Sequence, residues 1–238
     1  MKMFFLFGLF ALLPCLSFAS DFTQQPSVIY PYQSTIEIQD DFMTGGTTSG
    51  TLGALGWSIA GGVSTTPVST TNRIGLFRKD TSAVAATVAY VILSAQATNT
   101  DPAVPHSILW IAQLNNNDVN TTIRLGAAST FTVSPPAHGI YIEKLDADTN
   151  FFCVTRAANV QTRTDSGVAV NTSFNTLAYT RNSSGVQFVI NGALVCSVMT
   201  TNIPTSFINP GAHIVNSAAA AKTIDLDYFQ MKIQGLVR

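Results

Sequence analysis

The feature that most limits this chain is a period. After residue 30, short apolar runs recur with side chains alternating in character: TIEIQ, VAYVIL, SILWIAQL, TTIRLGA, GIYIEKL, FFCVTR, VQFVING, ALVCSVM and TIDLDYFQMKI. Each run is a few residues long and is closed by Gly, Pro, Asn, Asp or Ser, the pattern of half-buried strands rather than of helices. The piece most friendly to a helix, SAVAATVAYV, is read as a strand because of its valines and its place between turn-like segments. The expectation is an all-β chain, with strands following one another without intervening helices, as in a two-layer antiparallel sandwich or jelly roll.

One turn is specific enough to set a register. In VQFVINGALVCSV the dipeptide Asn191-Gly192 is the favoured centre of a type I′ hairpin, because both central residues must adopt positive φ. A two-residue loop sets Ile190 against Ala193, Phe188 against Val195 and Gln187 against Cys196. Phe188, Ile190 and Val195 then face the core, and Cys196 lies on the opposite face.

The first residues, MKMFFLFGLFALLPCLSFAS, combine Lys2, an apolar run from Met3 to Leu13 and the small-residue ending Ser17-Phe18-Ala19. They read as a secretory signal peptide, residues 1–19, cleaved after Ala19. The apolar run is shorter than the roughly 20 residues a spanning helix needs, so no transmembrane anchor is expected after cleavage. Residues 20–39 are read as an extended arm with the first strand, and residues 40–238 as one sandwich domain. The expected location is extracellular, periplasmic or at the cell surface. Cys153 and Cys196 survive cleavage, and in an exported chain an even pair points to a disulfide, with two buried thiols as the alternative.

Composition removes some functions. Charged residues are 11% of the chain and the formal net charge is −1, which lacks the basic footprint of a nucleic-acid binder. No G-x-S-x-G elbow and no P-loop occurs. Sugar-cleaving sites want two carboxylates about 5 Å apart for a retaining mechanism. Glu143 and Asp146 differ by three positions and so point to opposite faces of a strand, while LDADTN, with Asp148, reads as a turn. Asp225 and Asp227 share a face without a third acid in line. They are weak candidates for calcium, since hard cations favour carboxylate oxygens; no other cofactor is expected.

Rings outside the core pattern are the remaining hint. Tyr30, Tyr32, Trp110, Tyr141 and Tyr179 are flanked by Asn and Thr, a composition suited to stacking on sugars. Trp110, Tyr141 and Tyr179 are the candidate ligand-binding residues, with core and sheet-face positions both open for Trp110. The glycine-rich stretch DDFMTGGTTSGTLGALGWSIAGG is read as a loop that turns around a core anchor, Trp57.

The order DDFMTGGTTSGTLGALGW, RIGLFRKDTS, LWIAQLN with NTTIRLG, TDSGVAVNTSFNTL, VQFVINGALV with TTNIP, and IDLDYF resembles concanavalin A-like (laminin-G-like) sandwiches. It is most similar to the type in structural and appendage proteins of tailed bacteriophages, over about residues 40 to 233. The exported start departs from that type and favours an exported cellular relative or a chain released across a membrane. The resemblance implies a jelly roll whose first and last strands lie near each other. It also implies either a glycan- or surface-binding module, lectin-like and non-catalytic, or a structural subunit that self-assembles into a homo-oligomer or decorates a particle. A glycoside hydrolase is the third and weakest reading.

Overall fold

The computed structural model describes residues 35–42, 53, 55–62, 67–70, 73–93, 101–115 and 119–235. Residues 1–19, expected to be a signal peptide, most of the expected arm with Tyr30 and Tyr32, and much of the glycine-rich stretch lie outside these residues. Among the described residues there are strands and no helix. In chain order the strands are β1 (Thr35–Asp40), β2 (Ser58–Gly61), β3 (Pro67–Thr70), β4 (Arg73–Asp80), β5 (Thr87–Ile92), β6 (His106–Leu114), β7 (Thr121–Ala128), β8 (Gly139–Lys144), β9 (Asn150–Ala157), β10 (Val160–Ala169), β11 (Phe174–Asn182), β12 (Gly185–Ile190), β13 (Ala193–Met199), β14 (Asn209–Asn216) and β15 (Thr223–Gln234).

They form two antiparallel sheets that close as a sandwich. One runs β13-β12-β11-β6-β15-β4-β3, with β1 also paired to β15; the other runs β10-β9-β8-β7-β14-β5-β2. β4 takes the first half of β15 and β1 the second half. The switch falls where Asp227 bulges out of register with β6, so one long strand serves two neighbours along one edge. SAVAATVAYV divides: Thr87 onwards is strand and the residues before it turn, with Ala86 at φ 61°.

Between the sheets lies an aromatic centre. Trp57, Trp110, Phe42 and Phe229 are all buried, with ring centroids of Trp57–Phe229 and Trp110–Phe229 both at 4.8 Å and of Trp57–Trp110 at 5.3 Å. Truncating such a residue costs roughly 3–5 kcal/mol. Trp57 is thus the anchor expected, and Asp40 is what holds its loop. The buried Asp40 carboxylate accepts from Phe42 N (2.9 Å), Leu55 N (3.2 Å) and the Trp57 indole Nε1 (3.0 Å). Gly53 is required here because a Cβ would overlap the Asp40 carboxylate.

The Asn191-Gly192 hairpin forms as expected, with φ of 53° and 80° and with Ile190 opposite Ala193 and Phe188 opposite Val195. Beyond Val195 the expectation fails. The next pair is Val186 with Met199, so residues 196–198 bulge against Gln187. Cys196 adopts φ 57° and turns toward the core instead of away from it. There it bonds Cys153 of β9, tying the two edge strands' side of the sandwich across the sheets.

Candidate functional site

Side chains on the outer face of the seven-stranded sheet follow from cross-strand pairing, since partners in register share a face. Arg124 of β7 lies opposite both Glu143 of β8 and His213 of β14. Glu143 lies opposite Phe152 of β9, and Tyr141 opposite Val154, which in turn lies opposite Arg163 of β10. Five consecutive strands therefore bring their polar residues to one patch. Alternation within each strand puts Ile123, Leu125, Ile140, Ile142 and Cys153 into the core on the other face.

Glu143 is the hub. Its Oε2 accepts from Arg124 Nε at 2.7 Å and its Oε1 from Arg163 Nε at 3.0 Å. Arg163 also pairs with Asp148 and stacks over the Phe152 ring, 3.4 Å from its centroid. Arg124 reaches His213 Nε2 at 3.2 Å. A guanidinium only donates, so Nε2 accepts and Nδ1 carries the proton. Burial, reinforced by the Arg124 charge, holds the His213 imidazole well below its ordinary pKa. Burial, reinforced by Glu143, raises the Tyr141 phenol.

A strap covers the centre. Residues 129–138 leave β7 and return to β8, closed by Ser129 N donating to His138 O at 2.9 Å. Phe131 inside the strap packs edge-on to His213 at 5.7 Å. It can lie against the sheet because position 211 is glycine; a Cβ there would strike the Phe131 ring. Arg124, Glu143, His213 and Tyr141 are buried beneath, while Tyr90, Ile92, Phe152, Arg156 and Arg163 form a half-buried rim.

Buried polar atoms in proteins are nearly always hydrogen-bonded. Among the described residues seven such side-chain atoms have no partner, and five sit on this face or at its strap: His138 Nδ1, Tyr141 Oη, Arg156 Nε, Asn209 Oδ1 and His213 Nδ1. Tyr141 Oη is close enough to Arg124 for the guanidinium to favour its ionised form, yet it makes no hydrogen bond of good geometry. The face is rich in donors.

The ring residues singled out in the sequence are not the exposed rings. Trp110 and Tyr179 point into the core, at 1% and 2% exposure. Tyr179 packs on Phe188 and makes a 3.2 Å hydrogen bond with His106 Nε2. Tyr141 faces outward but lies at 0% exposure under the strap. None of the three presents a ring to solvent. Asp225 is held by Arg78 at 2.7 and 2.8 Å and by Asn115 Nδ2 at 2.9 Å, and Asp227 by Arg73. Both acids are thus engaged by arginines, and among the described residues no cluster of three metal-ligating side chains forms. Asp146 and Asp148 lie in the turn expected of LDADTN, with Leu145 N donating to Asp148 Oδ2 at 2.7 Å. Sequence reading missed Arg124, Arg163 and His213, whose association exists only across strands.

No protein-family model and no curated protein matches the chain. Solved structures do resemble it in fold. A protein of unknown function from Shewanella oneidensis has a TM-score of 0.61 at 14% identity, covering 84% of this chain and 87% of that one. The β-glucanase of Bacillus licheniformis has a TM-score of 0.53 at 15% identity, covering 82% and 97%. Botulinum neurotoxin type C, whose cell entry depends on two ganglioside molecules, has a TM-score of 0.54 at 12% identity, covering 84% of this chain and 48% of the toxin chain. At such identities the likeness is one of fold.

Proposed function

We propose that this protein is an exported, non-catalytic β-sandwich module that binds a glycan or a glycan-coated surface through the outer face of its seven-stranded sheet. The observation that carries the reading is the half-buried rim of that face, where the rings of Tyr90 and Phe152 stand beside the side chains of Arg156 and Arg163. Ligand sites join apolar walls to a few placed polar groups, and a polyhydroxylated ligand supplies many acceptors. Glu143 fits a non-catalytic role, since it is buried and both its oxygens are held by arginines. The disulfide fits an oxidising compartment. The glucanase and the ganglioside-dependent toxin share the fold, which is compatible with sugar recognition.

The test is a glycan and cell-wall binding panel with the exported chain, Tyr90→Ala and Phe152→Ala. Retention that falls at least tenfold in both variants without loss of the folded state supports the reading. Retention of no glycan rejects it, and so does hydrolysis of a retained one that a single carboxylate substitution abolishes.

One observation favours a second reading, a self-assembling or particle-decorating subunit. On the outer face of the other sheet, Leu109, Ala178, Val189 and Leu194 are successive cross-strand partners, making an uncharged apolar row that ends at Leu194, 64% exposed. Light scattering across concentration separates the two, since ordered oligomers weakened by Leu194→Lys would favour assembly.

A further inference from the structure

A cavity lies away from the arginine face, where the end of β1 meets β15. It measures about 290 Å³ and is lined by Gln39, Asp40, Asp41 and Tyr228, near the lower end of the roughly 300–1,000 Å³ that ligand pockets span. Side chains of its wall bond one another. Tyr228 Oη donates to Gln39 Oε1 at 2.8 Å, which fixes the amide and leaves its Nε2 to donate. Gln230 Nε2 reaches Glu37 Oε1 at 2.6 Å and Tyr228 Oη at 3.4 Å, so the ring is braced from its far side. The Asp40 floor is rigid, its carboxylate already accepting three N–H groups.

Charge decides what fits. Asp41 and Asp40 line the cavity and Glu37 stands behind Tyr228, with Lys232 engaged by Glu37 at 3.4 Å. Among the described residues acceptors outnumber donors and the local charge is negative, which disfavours phosphorylated, sulfated or carboxylated ligands. Calcium fits poorly as well, because it takes six to eight oxygens and the Asp40 oxygens are already used. A half-buried ring beside an amide and a carboxylate suits an uncharged ring that carries several hydroxyl donors.

We propose that this cavity is a second saccharide subsite, selective for an uncharged sugar ring that lies against Tyr228 and donates hydroxyls to Asp41, with Gln39 donating to a ring or hydroxyl oxygen. The proposal rests on the glycan-binding reading and adds to it a second site, which takes neutral sugars.

The experiment is isothermal titration of the exported chain with neutral glucose-, galactose- and mannose-based trisaccharides and with trigalacturonate as the anionic probe. Tyr228→Ala, Gln39→Ala and Asp41→Asn are compared with Val84→Ala, a change at an exposed turn residue outside both sites, each checked by its urea midpoint. A neutral trisaccharide should bind and should lose at least tenfold in affinity in Tyr228→Ala and severalfold in Gln39→Ala and Asp41→Asn, with Val84→Ala unchanged. Neutral binding that survives Tyr228→Ala and Gln39→Ala overturns the subsite and leaves the glycan reading standing. The same holds if trigalacturonate binds and no neutral sugar does. If neither class binds, the glycan reading falls and the subsite with it.

Discussion

Asp40 and Trp57 are joined by a 3.0 Å hydrogen bond from the indole Nε1 to a carboxylate that also caps two backbone N–H groups. One side chain thereby ends β1, holds the backbone N–H groups of Phe42 and Leu55 and orients one of the two core tryptophans. Asp40→Ala should leave three buried donors unpaired, a loss of about 3 kcal/mol on the scale of hydrogen bonds to charged acceptors. Asp40→Asn should lose less, because its remaining oxygen still accepts. Urea unfolding followed by tryptophan fluorescence measures both; equal stability of Asp40→Ala and the parent chain would refute the account.

The Cys153–Cys196 bridge closes a separation of 43 residues, which the chain-entropy model values at about 4 kcal/mol. Cys196 also sits in the left-handed region, where a non-glycine residue is penalised. In the Cys153→Ala background, Cys196→Gly should therefore be about 1 kcal/mol more stable than Cys196→Ala. The opposite order would mean that the bridge, and not the fold, imposes the bulge. Labelling of denatured, unreduced protein that has folded under oxidising conditions should find no free thiol at these two positions.

His213 and His106 are both held below their ordinary pKa, foremost by burial. The folded state then binds fewer protons than the unfolded chain below the unfolded value of about 6.5. Above that pH neither state is protonated and the histidines contribute no slope. Below it, stability should fall by up to about 1.4 kcal/mol per pH unit for each histidine. Unfolding midpoints at pH 7.5, 6 and 5 test the slope, and His213→Phe should reduce it. A slope unchanged in His213→Phe would exclude that residue as a source.

Gly211→Ala should push Phe131 off the sheet, because the new Cβ would strike the ring. The expected result is a modest loss of stability, of order 1–3 kcal/mol for overpacking. Proteolytic cleavage should quicken within residues 129–138. Unaltered protection of the strap would show that Phe131 does not hold it.

How much of this was readable beforehand depends on whether the signal is local. The hairpin register was legible because Asn191-Gly192 sets it by its own backbone preference. Trp57 was legible as an anchor because large rings among glycines seek the core. Cys196 was misplaced because alternation carries no trace of a bulge: within residues 196–198 the face no longer follows sequence parity, and the core face resumes at Met199 opposite Val186. The burial of Tyr141 was not legible for a different reason: period two says only that a residue faces outward, and the strap that buries it is held by Phe131 and Gly211, one of them on another strand of the sheet. The Arg124–Glu143–His213 contacts join residues separated by 19 and 89 positions, and no spacing rule links them.

Thr35 and Gln234 are direct partners, at the beginning of β1 and the end of β15. The chain thus enters and leaves the folded body at one point, and the two strands run antiparallel from there. Tension applied between these two ends would open the β1–β15 ladder one hydrogen bond at a time rather than shear all of it together, which makes for a low rupture force. A protein built this way suits attachment by one end, with the other hanging free, and would serve poorly as a link in a chain under pull.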